Sequence, residues 1–293
     1  MMAVLTAAPA RAESPQRFAL EVKFGPYRPD MDASPGLSRP VFSDLLNPPD
    51  AARGDRLYPG LLTQVELDYQ FLHRVGILGV GLSVGYHRRS APQLRYFPGA
   101  MLATCDIQDE VLTASDGVRR PYKKYVLPDG SVDRQGACFS NDEHVVNVLP
   151  LSVLLVYRFD WLDKRFGVPL IPYMKAGLAY YLWWFGSSSE FVVRKEVDES
   201  GQLVEDGPTA SGGTFGFVLQ PGLAIDLGAI DRAAARVMDK EIGLNRVSAF
   251  VELHYAQIDN FGHPAERDVG GQRGPTTLNL SDTTLSAGLA FEF

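Results

Sequence analysis

The sequence predicts an all-β fold: an eight-stranded antiparallel transmembrane β-barrel with long extracellular loops and one short periplasmic helix. Three observations favour this fold. Eight segments alternate between apolar and small or polar residues, the connections between them alternate between long and short, and the chain ends on an aromatic residue. Successive side chains of a strand point to opposite faces, and membrane barrels turn the apolar face to lipid. Sorted loop lengths are typical of bacterial barrels whose two termini lie in the periplasm.

The closing segment, Thr283–Phe293, shows the alternation most clearly. One face carries Leu285, Ala287, Leu289, Phe291 and Phe293, and the other carries Ser286, Gly288, Ala290 and Glu292. We expect this strand to close the sheet, with Phe293 against lipid at the periplasmic rim and Glu292 in the lumen. Phe291 and Phe293 resemble the terminal signal that the outer-membrane barrel-assembly machinery reads, which predicts that machinery as a partner.

Seven further segments pair an apolar face with a small or polar one. They predict strands at Phe18–Phe24, Leu61–Phe71, Gly76–Tyr86, Val145–Phe159, Leu170–Trp184, Thr214–Gly228 and Arg246–Tyr255. The second strand places Glu66 and Asp68 opposite its apolar stripe, and a soluble core cannot hold such carboxylates without compensation. The third strand has Gly79 and Gly81 on its inner face, which predicts a narrow, tightly filled interior.

The later strands follow the same rule with local variations. In the fourth, alternate positions from Leu149 to Phe159 are apolar, whereas Ser152 and Arg158 lie among apolar residues on the other face. The fifth ends in the aromatic run Tyr180–Phe185, which we expect at the membrane interface because amphipathic rings settle at the headgroup level. The sixth and seventh strands have branched and aromatic residues on one face and include glycine, serine and charged residues on the other.

The connections alternate in length along the chain. In order they cover about 27–60 (long), 73–75 (short), 87–144 (very long), 160–168 (short), 186–213 (long), 229–245 (medium) and 257–281 (long). Asp231–Ile242 is rich in helix formers and precedes Gly243, which predicts the periplasmic helix. Leu127–Gly130 and Asp198–Gly201 have the composition of hairpin turns, so we expect strands to continue beyond the membrane as ribbons.

Charged and polar side chains recur on the predicted inner faces. The predicted lumen set is Glu21, Lys23, Glu66, Asp68, Arg158, Lys175, Asp226, Glu252, His254 and Glu292. The lumen of an eight-stranded barrel is only wide enough for side chains, and charges there must pair or stay hydrated. We interpret the set as a structural network of ion pairs and water that fixes strand register. The alternative is a narrow path for protons or ions.

A catalytic reading requires a nucleophile, a base and an orienting acid at one level of the barrel. Ser248, Glu252 and His254 share a predicted inner face, but a shared face does not make a triad. The glycines at 79 and 81 lie within a strand, so they carry no nucleotide-binding meaning. The acidic runs at 106–110, 142–143 and 196–199 lack the spacing of a calcium loop. The sequence therefore predicts no catalytic residue, no metal ligand and no cofactor.

The two cysteines, Cys105 and Cys138, lie in the same long connection. In an exported protein they predict one disulfide that stabilises the loop by about 2–4 kcal/mol. Two free thiols are the alternative. A zinc site is poorly supported, because no paired histidines accompany the cysteines.

Residues 1–12 resemble the end of a secretory signal, with Ala10–Ala12 as a small-x-small cleavage pattern; a disordered alanine-rich leader is the alternative. Residues 13–293 are predicted to form one outer-membrane barrel domain with both termini in the periplasm. Its expected surroundings are outer-membrane lipid and lipopolysaccharide, with an unidentified extracellular partner at the loops. The net charge of -7 argues against a nucleic-acid partner. A soluble, lipocalin-like barrel is the rival fold and would turn its apolar stripes inward.

The closing strand and Val247–Gln257, with the helix formers before it, resemble the outer-membrane β-barrel domain family found in myxobacteria. The resemblance covers most of residues 18–293 and implies fold and location, but no activity. The leading functional expectation is a non-enzymatic protein that is structural or binds a surface through its long loops. A narrow channel and a lipid-directed enzyme are the alternatives.

Overall fold

The computed structural model describes residues 17–35, 41–42, 46, 59–73, 76–94, 105–113, 119–133, 137–187, 195–197, 203–205, 211–229, 237–238, 240–241, 243–263, 266–269, 272–275 and 277–293. The predicted leader at 1–12 therefore lies outside the described residues. No helix in the described ranges is long and apolar enough to cross a membrane.

Eight long strands form a closed antiparallel barrel, which confirms the predicted fold class. They are β1 (Phe18–Tyr27), β2 (Gly60–Leu72), β3 (Ile77–Leu94), β6 (Phe139–Arg158), β7 (Leu170–Ser187), β10 (Ser211–Asp226), β11 (Arg246–Gln257) and β14 (Asp282–Glu292). Each is hydrogen-bonded to the next barrel strand in sequence, and β14 closes the sheet against β1. All eight strands predicted from alternation are present.

The strand register fixes the size of the barrel. Stepping from partner to partner from Ala19 of β1, around the sheet in chain order, leads to Asp282 of β14. Ala19 is itself paired with Glu292 of β14. Positions 282 and 292 differ by ten, so the eight strands close with a shear of ten residues. This stagger tilts the strands by about 40° and leaves an interior that side chains can fill.

The outward face of the barrel is apolar along its whole height, and the inward face is polar in the short-turn half. The apolar stripes therefore face outward, as in a membrane barrel, and not inward as in the soluble alternative. Leu61, Leu82 and Leu178 point outward with 63%, 62% and 65% of their surface exposed. Such a continuous belt on a closed barrel is the surface that a membrane requires. The outward faces of all eight strands contribute to it.

The two ends of the barrel differ. At one end, here called the short-turn end, lie Arg17, Phe293 and the turns from β2 to β3 and from β6 to β7. Aromatic rings gather on the outer wall there: Phe18 lies 5.3 Å from Tyr69 and 6.2 Å from Phe293, measured between ring centroids. At the other, long-loop end, β3 and β6 run on to 18 and 20 residues.

Three two-stranded ribbons lie in the long connections, in agreement with the expectation that ribbons continue beyond the barrel, although neither predicted turn belongs to the third ribbon and Leu127–Gly130 follows the first. They pair β4 (Asp106–Thr113) with β5 (Arg119–Val126), β8 (Lys195–Val197) with β9 (Leu203–Glu205), and β12 (Glu266–Val269) with β13 (Gln272–Pro275). In the turn after β5, the backbone N–H of Gly130 donates to the carbonyl of Leu127 at 2.8 Å. The predicted turn residues between β8 and β9 lie outside the described residues.

A disulfide joins Cys105 and Cys138 at the base of the first ribbon, with the Cα atoms 5.8 Å apart. The bonded pair is buried together with Tyr125, and Leu127 and Phe139 pack against this small cluster. The disulfide therefore links the start of the β4–β5 ribbon to the entry of barrel strand β6.

Helical structure is minor. The short turn between β6 and β7 contains α1 (Trp161–Phe166), which the alternation did not predict, and single 3₁₀ turns occur at Met31–Ala33, Leu227–Ala229 and Asn260–Gly262. Within the helix predicted at 231–242, residues 237–238 and 240–241 are helical, and the others lie outside the described part of the chain.

The aromatic run Tyr180–Phe185 is only half as predicted. Tyr181 and Trp183 point into the lumen and are buried, and Phe185 packs against the same interior cluster. Successive strand residues must face opposite sides, so a run of aromatic residues cannot lie wholly at the lipid interface. The interior of the long-loop half is apolar, and this run supplies part of it.

Candidate functional site: the buried ion network

The charged side chains of the lumen form one layer in the short-turn half of the barrel. Nine of the ten predicted lumen residues are buried on the inner face, where strand alternation places them. Eight belong to this layer, and His254 lies at its edge toward the long-loop end, against Tyr181. The tenth, Asp226, lies on the inner face at the short-turn rim and is partly buried. Its carboxylate is 3.5 Å from Arg246, which in turn lies 3.7 Å from Glu292 of the layer.

Arg158, at the end of β6, is one centre of the layer. Its guanidinium donates to Glu21 at 2.7 Å, to Asp68 at 2.5 Å and to Glu292 at 3.2 Å. The three carboxylates come from three other strands, β1, β2 and β14. A planar group with five fixed donors suits such a multiple contact better than an ammonium would.

Two lysines form the second centre. The ammonium of Lys175 contacts Glu21 and lies 2.7 Å from Glu66, and that of Lys23 lies 2.8 Å from both Glu66 and Glu252. Glu66 therefore bridges the two lysines, one through each oxygen. Since all of these side chains are almost fully buried, each ion depends on its partners to offset its loss of hydration.

Uncharged side chains complete the network. Tyr173 and Ser286 donate to the carboxylate of Glu252 at 3.1 and 3.2 Å. Gln220 lies 3.2 Å from Lys23 and 2.8 Å from Nδ1 of His254. Tyr173, Gln220 and Ser286 were not predicted as site residues, although the alternation that identifies the charged residues places these three on the same face.

Glycines on the inner wall make room for this layer. An added Cβ at Gly81 of β3 would lie 2.4 Å from an oxygen of Asp68, and one at Gly222 of β10 would lie 2.3 Å from the Tyr173 ring. A side chain at either position would displace a member of the network. The glycine-rich inner face of β3 thus leaves space for side chains from neighbouring strands, in keeping with the narrow, tightly filled interior that the sequence predicts.

Three carboxylates of the network are close enough to resemble a metal site. One oxygen from each of Glu21, Glu66 and Asp68 lies within 4.8 Å of the others. The ammonium of Lys175 and the guanidinium of Arg158 already pair with these groups. The space that a cation would need is therefore used by side chains of the protein, and the chemistry of the set is that of an internal salt-bridge cluster.

The candidate catalytic set is not assembled in a usable form. His254 is 1% exposed, and its ring nitrogens face Gln220 and, at 3.4 Å, the hydroxyl of Tyr181. Glu252 is engaged by Lys23, and the Ser248 hydroxyl is buried without a hydrogen-bond partner among the described residues. Among the described residues, Ser248 therefore has no activating base, and the His254 ring is shielded from solvent.

An apolar plug fills the lumen above the ion layer, toward the long-loop end. Buried barrel side chains such as Tyr27 and Trp183 pack there with residues of the connections, including Phe42, Leu46 and Leu280. The Tyr27 hydroxyl donates to the carbonyl of Leu280 at 3.0 Å, which ties the connection before β14 into the mouth. The described part of the lumen is thus closed by ions at one level and by apolar packing at the next.

No family model matches the chain, so the resemblance to the myxobacterial family is not confirmed, and no curated protein matches it. Solved structures give remote likenesses. The attachment invasion locus protein Ail of Yersinia pestis, in complex with the heparin analogue sucrose octasulfate, is 9% identical with a TM-score of 0.36 over 95% of this chain and 97% of that one. The outer membrane protein OprG from Pseudomonas aeruginosa is 11% identical with a TM-score of 0.42, over 95% and 96%. A major outer membrane protein from Thermus thermophilus is 12% identical with a TM-score of 0.41, over 95% and 100%. Similarity at this level says nothing about the activity of the chain.

Proposed function

We propose that this chain is a non-enzymatic, non-conducting outer-membrane protein that holds ribbons at the cell surface, where they bind a partner or an envelope component. The observation that carries the proposal is the filled lumen. Lys23, Lys175, Glu66 and Asp68 are inaccessible to solvent, and the apolar plug covers them. With the interior committed to packing, the parts available to other molecules are the loops and the outer wall.

The asymmetry of the barrel supports one orientation in this proposal. The short-turn end carries both ends of the barrel sheet and Phe293, and we assign it to the periplasm and the ribbons to the outside. Long exterior loops and short periplasmic turns are the rule for bacterial barrels.

Epitope tags test this orientation directly. A tag in the 114–118 connection is expected to bind antibody on intact cells, whereas a tag at 163 binds only after the outer membrane is permeabilised. The reverse pattern would overturn the orientation.

The narrow channel is the second candidate, and conductance measurement separates it from the proposal. Folded protein in a planar bilayer is expected to give no steps above the lipid background, while a wide porin reconstituted in the same membrane supplies the positive control. Discrete, reproducible steps from folded protein would contradict the proposal. The matched variant Leu280→Ala opens the plug without touching the ion layer, so leakage confined to that variant would identify the plug as the barrier.

The display role is tested separately from the barrel. A variant in which residues 106–126 are replaced by a short glycine-serine linker keeps both cysteines and the eight barrel strands. We expect it to reach the outer membrane in normal amount and to lose attachment of cells to the surfaces or envelope material that wild-type cells bind. Equal attachment by wild-type, variant and deletion strains would argue against binding through this ribbon.

A further inference from the structure

A groove of about 550 Å³ with a mixed polar and apolar lining lies on the outer wall of the barrel at the long-loop end, away from the ion network. Its lining includes Arg28, Asp30, Tyr255, Gln257, Asp282 and Thr283. These residues come from the ends of three adjacent barrel strands, β1, β14 and β11, and from the chain just beyond β1. The volume lies within the range of small-molecule sites.

The groove lies where β1 and β14 stop pairing. Their paired register ends at Phe24 and Ala287, although β1 continues to Tyr27 and β14 begins at Asp282. Leu278 and Leu280, in the chain before β14, are buried in the plug. Backbone and side-chain bonds hold the floor in place. The N–H of Asp30 donates to the Ser281 carbonyl at 3.0 Å, and the N–H of Ile258 donates to the Ser281 hydroxyl at 2.9 Å. The site is therefore built on strand ends, which position side chains more accurately than free loops do.

The lining offers hydrogen-bonding groups that the protein does not use. Among the described residues, the guanidinium of Arg28 and the carboxylate of Asp30 have no hydrogen-bond partner, and both side chains are exposed. The Asp282 carboxylate accepts from two backbone N–H groups, that of Arg28 at 3.4 Å and that of Thr283, and its charge interacts with that of Arg28. The ring of Tyr255 is exposed beside them, with its hydroxyl directed to Gln257 at 3.4 Å. Planar donors and acceptors around one accessible aromatic face form a surface for a ligand with many hydroxyl groups.

The charges narrow the class of ligand. Two carboxylates face one guanidinium, so the groove has a net negative charge and disfavours an acidic ligand. Among the described residues, only Glu21, Glu66 and Asp68 bring three carboxylate oxygens close enough to share an ion, and none of them lines the groove. Three charged side chains in the lining, those of Arg28, Asp30 and Asp282, would lose hydration beneath an acyl chain, which makes the groove unsuitable for one.

We propose that this groove binds a saccharide that is uncharged or carries an amino group. The ring of the sugar lies against Tyr255, and its hydroxyls bond to Asp30, Asp282 and Arg28. Two sources can supply such a sugar at this height on the wall: the lipopolysaccharide around the barrel, or a polysaccharide outside the cell. The inference goes beyond the display role, because the groove is on the barrel and remains when the ribbon at 106–126 is removed.

The test uses three sugars with the same ring: glucose, glucosamine and glucuronic acid. Folded wild-type protein in phospholipid nanodiscs, free of glycosidic detergents, is titrated with each one and followed by saturation-transfer NMR. We expect binding of glucose and glucosamine, and binding of glucuronic acid that is at least about tenfold weaker. Tyr255→Ala and Asp282→Asn are each expected to weaken glucosamine binding by about tenfold, since a hydrogen bond to a charged group or a ring contact is lost.

Tyr69→Ala is the matched control, because it removes an outward tyrosine at the opposite end of the barrel and should leave binding unchanged. The proposal is overturned if no sugar binds wild type more tightly than Tyr255→Ala, or if glucuronic acid binds best. Repeating the titration in nanodiscs that contain lipopolysaccharide identifies the source. Loss of glucosamine binding there shows that lipopolysaccharide sugars fill the groove, and unchanged binding shows that the ligand comes from outside.

Discussion

Arg158 on β6 and Asp68 on β2 are 2.5 Å apart, although the whole of β3 lies between their strands. The contact passes over the glycine-rich inner face of β3, where Gly81 pairs with both Asp68 and Leu154 in the sheet. Two strands that share no backbone hydrogen bond are thereby joined through their side chains. The small residues between them are as necessary to the ion pair as the charges.

Gly81→Ala is therefore expected to destabilise the barrel. The new Cβ would lie 2.4 Å from an oxygen of Asp68 and would force that carboxylate away from Arg158. Overpacking of this kind costs about 1–3 kcal/mol. Equilibrium unfolding in urea, followed by the gel shift between folded and heated barrel, measures the loss. Ser83→Ala, a lumen position on the same strand that only loses an unbonded hydroxyl, is the control and should change the free energy of unfolding by less.

Substitution of Arg158 is expected to lower the free energy of unfolding more than substitution of any one of its carboxylate partners. Arg158→Met leaves Glu21, Asp68 and Glu292 without their shared cation, and an uncompensated buried charge costs about 3–5 kcal/mol. Asp68→Asn leaves Arg158 with its two other carboxylates and should cost less. Urea unfolding of both variants in the same lipid gives the comparison. A more damaging Asp68→Asn would show that the guanidinium is not the centre of this cluster.

Alternation assigned the faces of the strands but could not assign contacts. It placed Arg158, Lys175 and Glu66 inside, because that decision needs only the parity of each strand. Which ions meet depends on register, and the shear of ten depends on all eight pairings at once. Each hairpin fixes the register between two neighbouring strands. The register with which β14 closes on β1 depends on packing across the whole lumen, and no local sequence pattern reveals that packing.

The plug was missed for a related reason. Tyr181 and Trp183 are as apolar as lipid-facing residues, and hydropathy does not separate a dry lumen from a bilayer. Phe42, Leu46 and Leu280 lie in connections without regular alternation, so nothing in the sequence marks them as barrel core. Charged residues on the inner face were informative because lipid excludes them, whereas apolar residues are compatible with both sides.

Removal of the disulfide should loosen the ribbon and leave the barrel intact. Cys105→Ser with Cys138→Ser opens a loop in which the two cysteines are 33 residues apart, and the lost constraint is worth about 3–4 kcal/mol locally. Among the described barrel strands, the bond adjoins only the entry of β6. We expect faster cleavage by trypsin within 106–137 and an unchanged urea midpoint of the barrel. A lowered midpoint would place the disulfide in the folding unit of the barrel itself.

Phe293 is expected to act in assembly more than in stability. Its ring is 42% exposed on the outer wall and contacts Phe18, while its backbone N–H donates to the Phe18 carbonyl, a bond that any residue could make. Phe293→Ala should therefore refold in detergent with a loss of about 1 kcal/mol or less, as expected for a half-exposed aromatic contact, but accumulate in the outer membrane in a clearly reduced amount. Phe217→Ala is the control, since Phe217 is a lipid-facing ring of similar exposure in the middle of the chain. Quantitative blotting of membrane fractions compares the two. Equal depletion of both variants would mean that the effect is general hydrophobic loss, while depletion of Phe293→Ala alone would support a terminal signal for the assembly machinery.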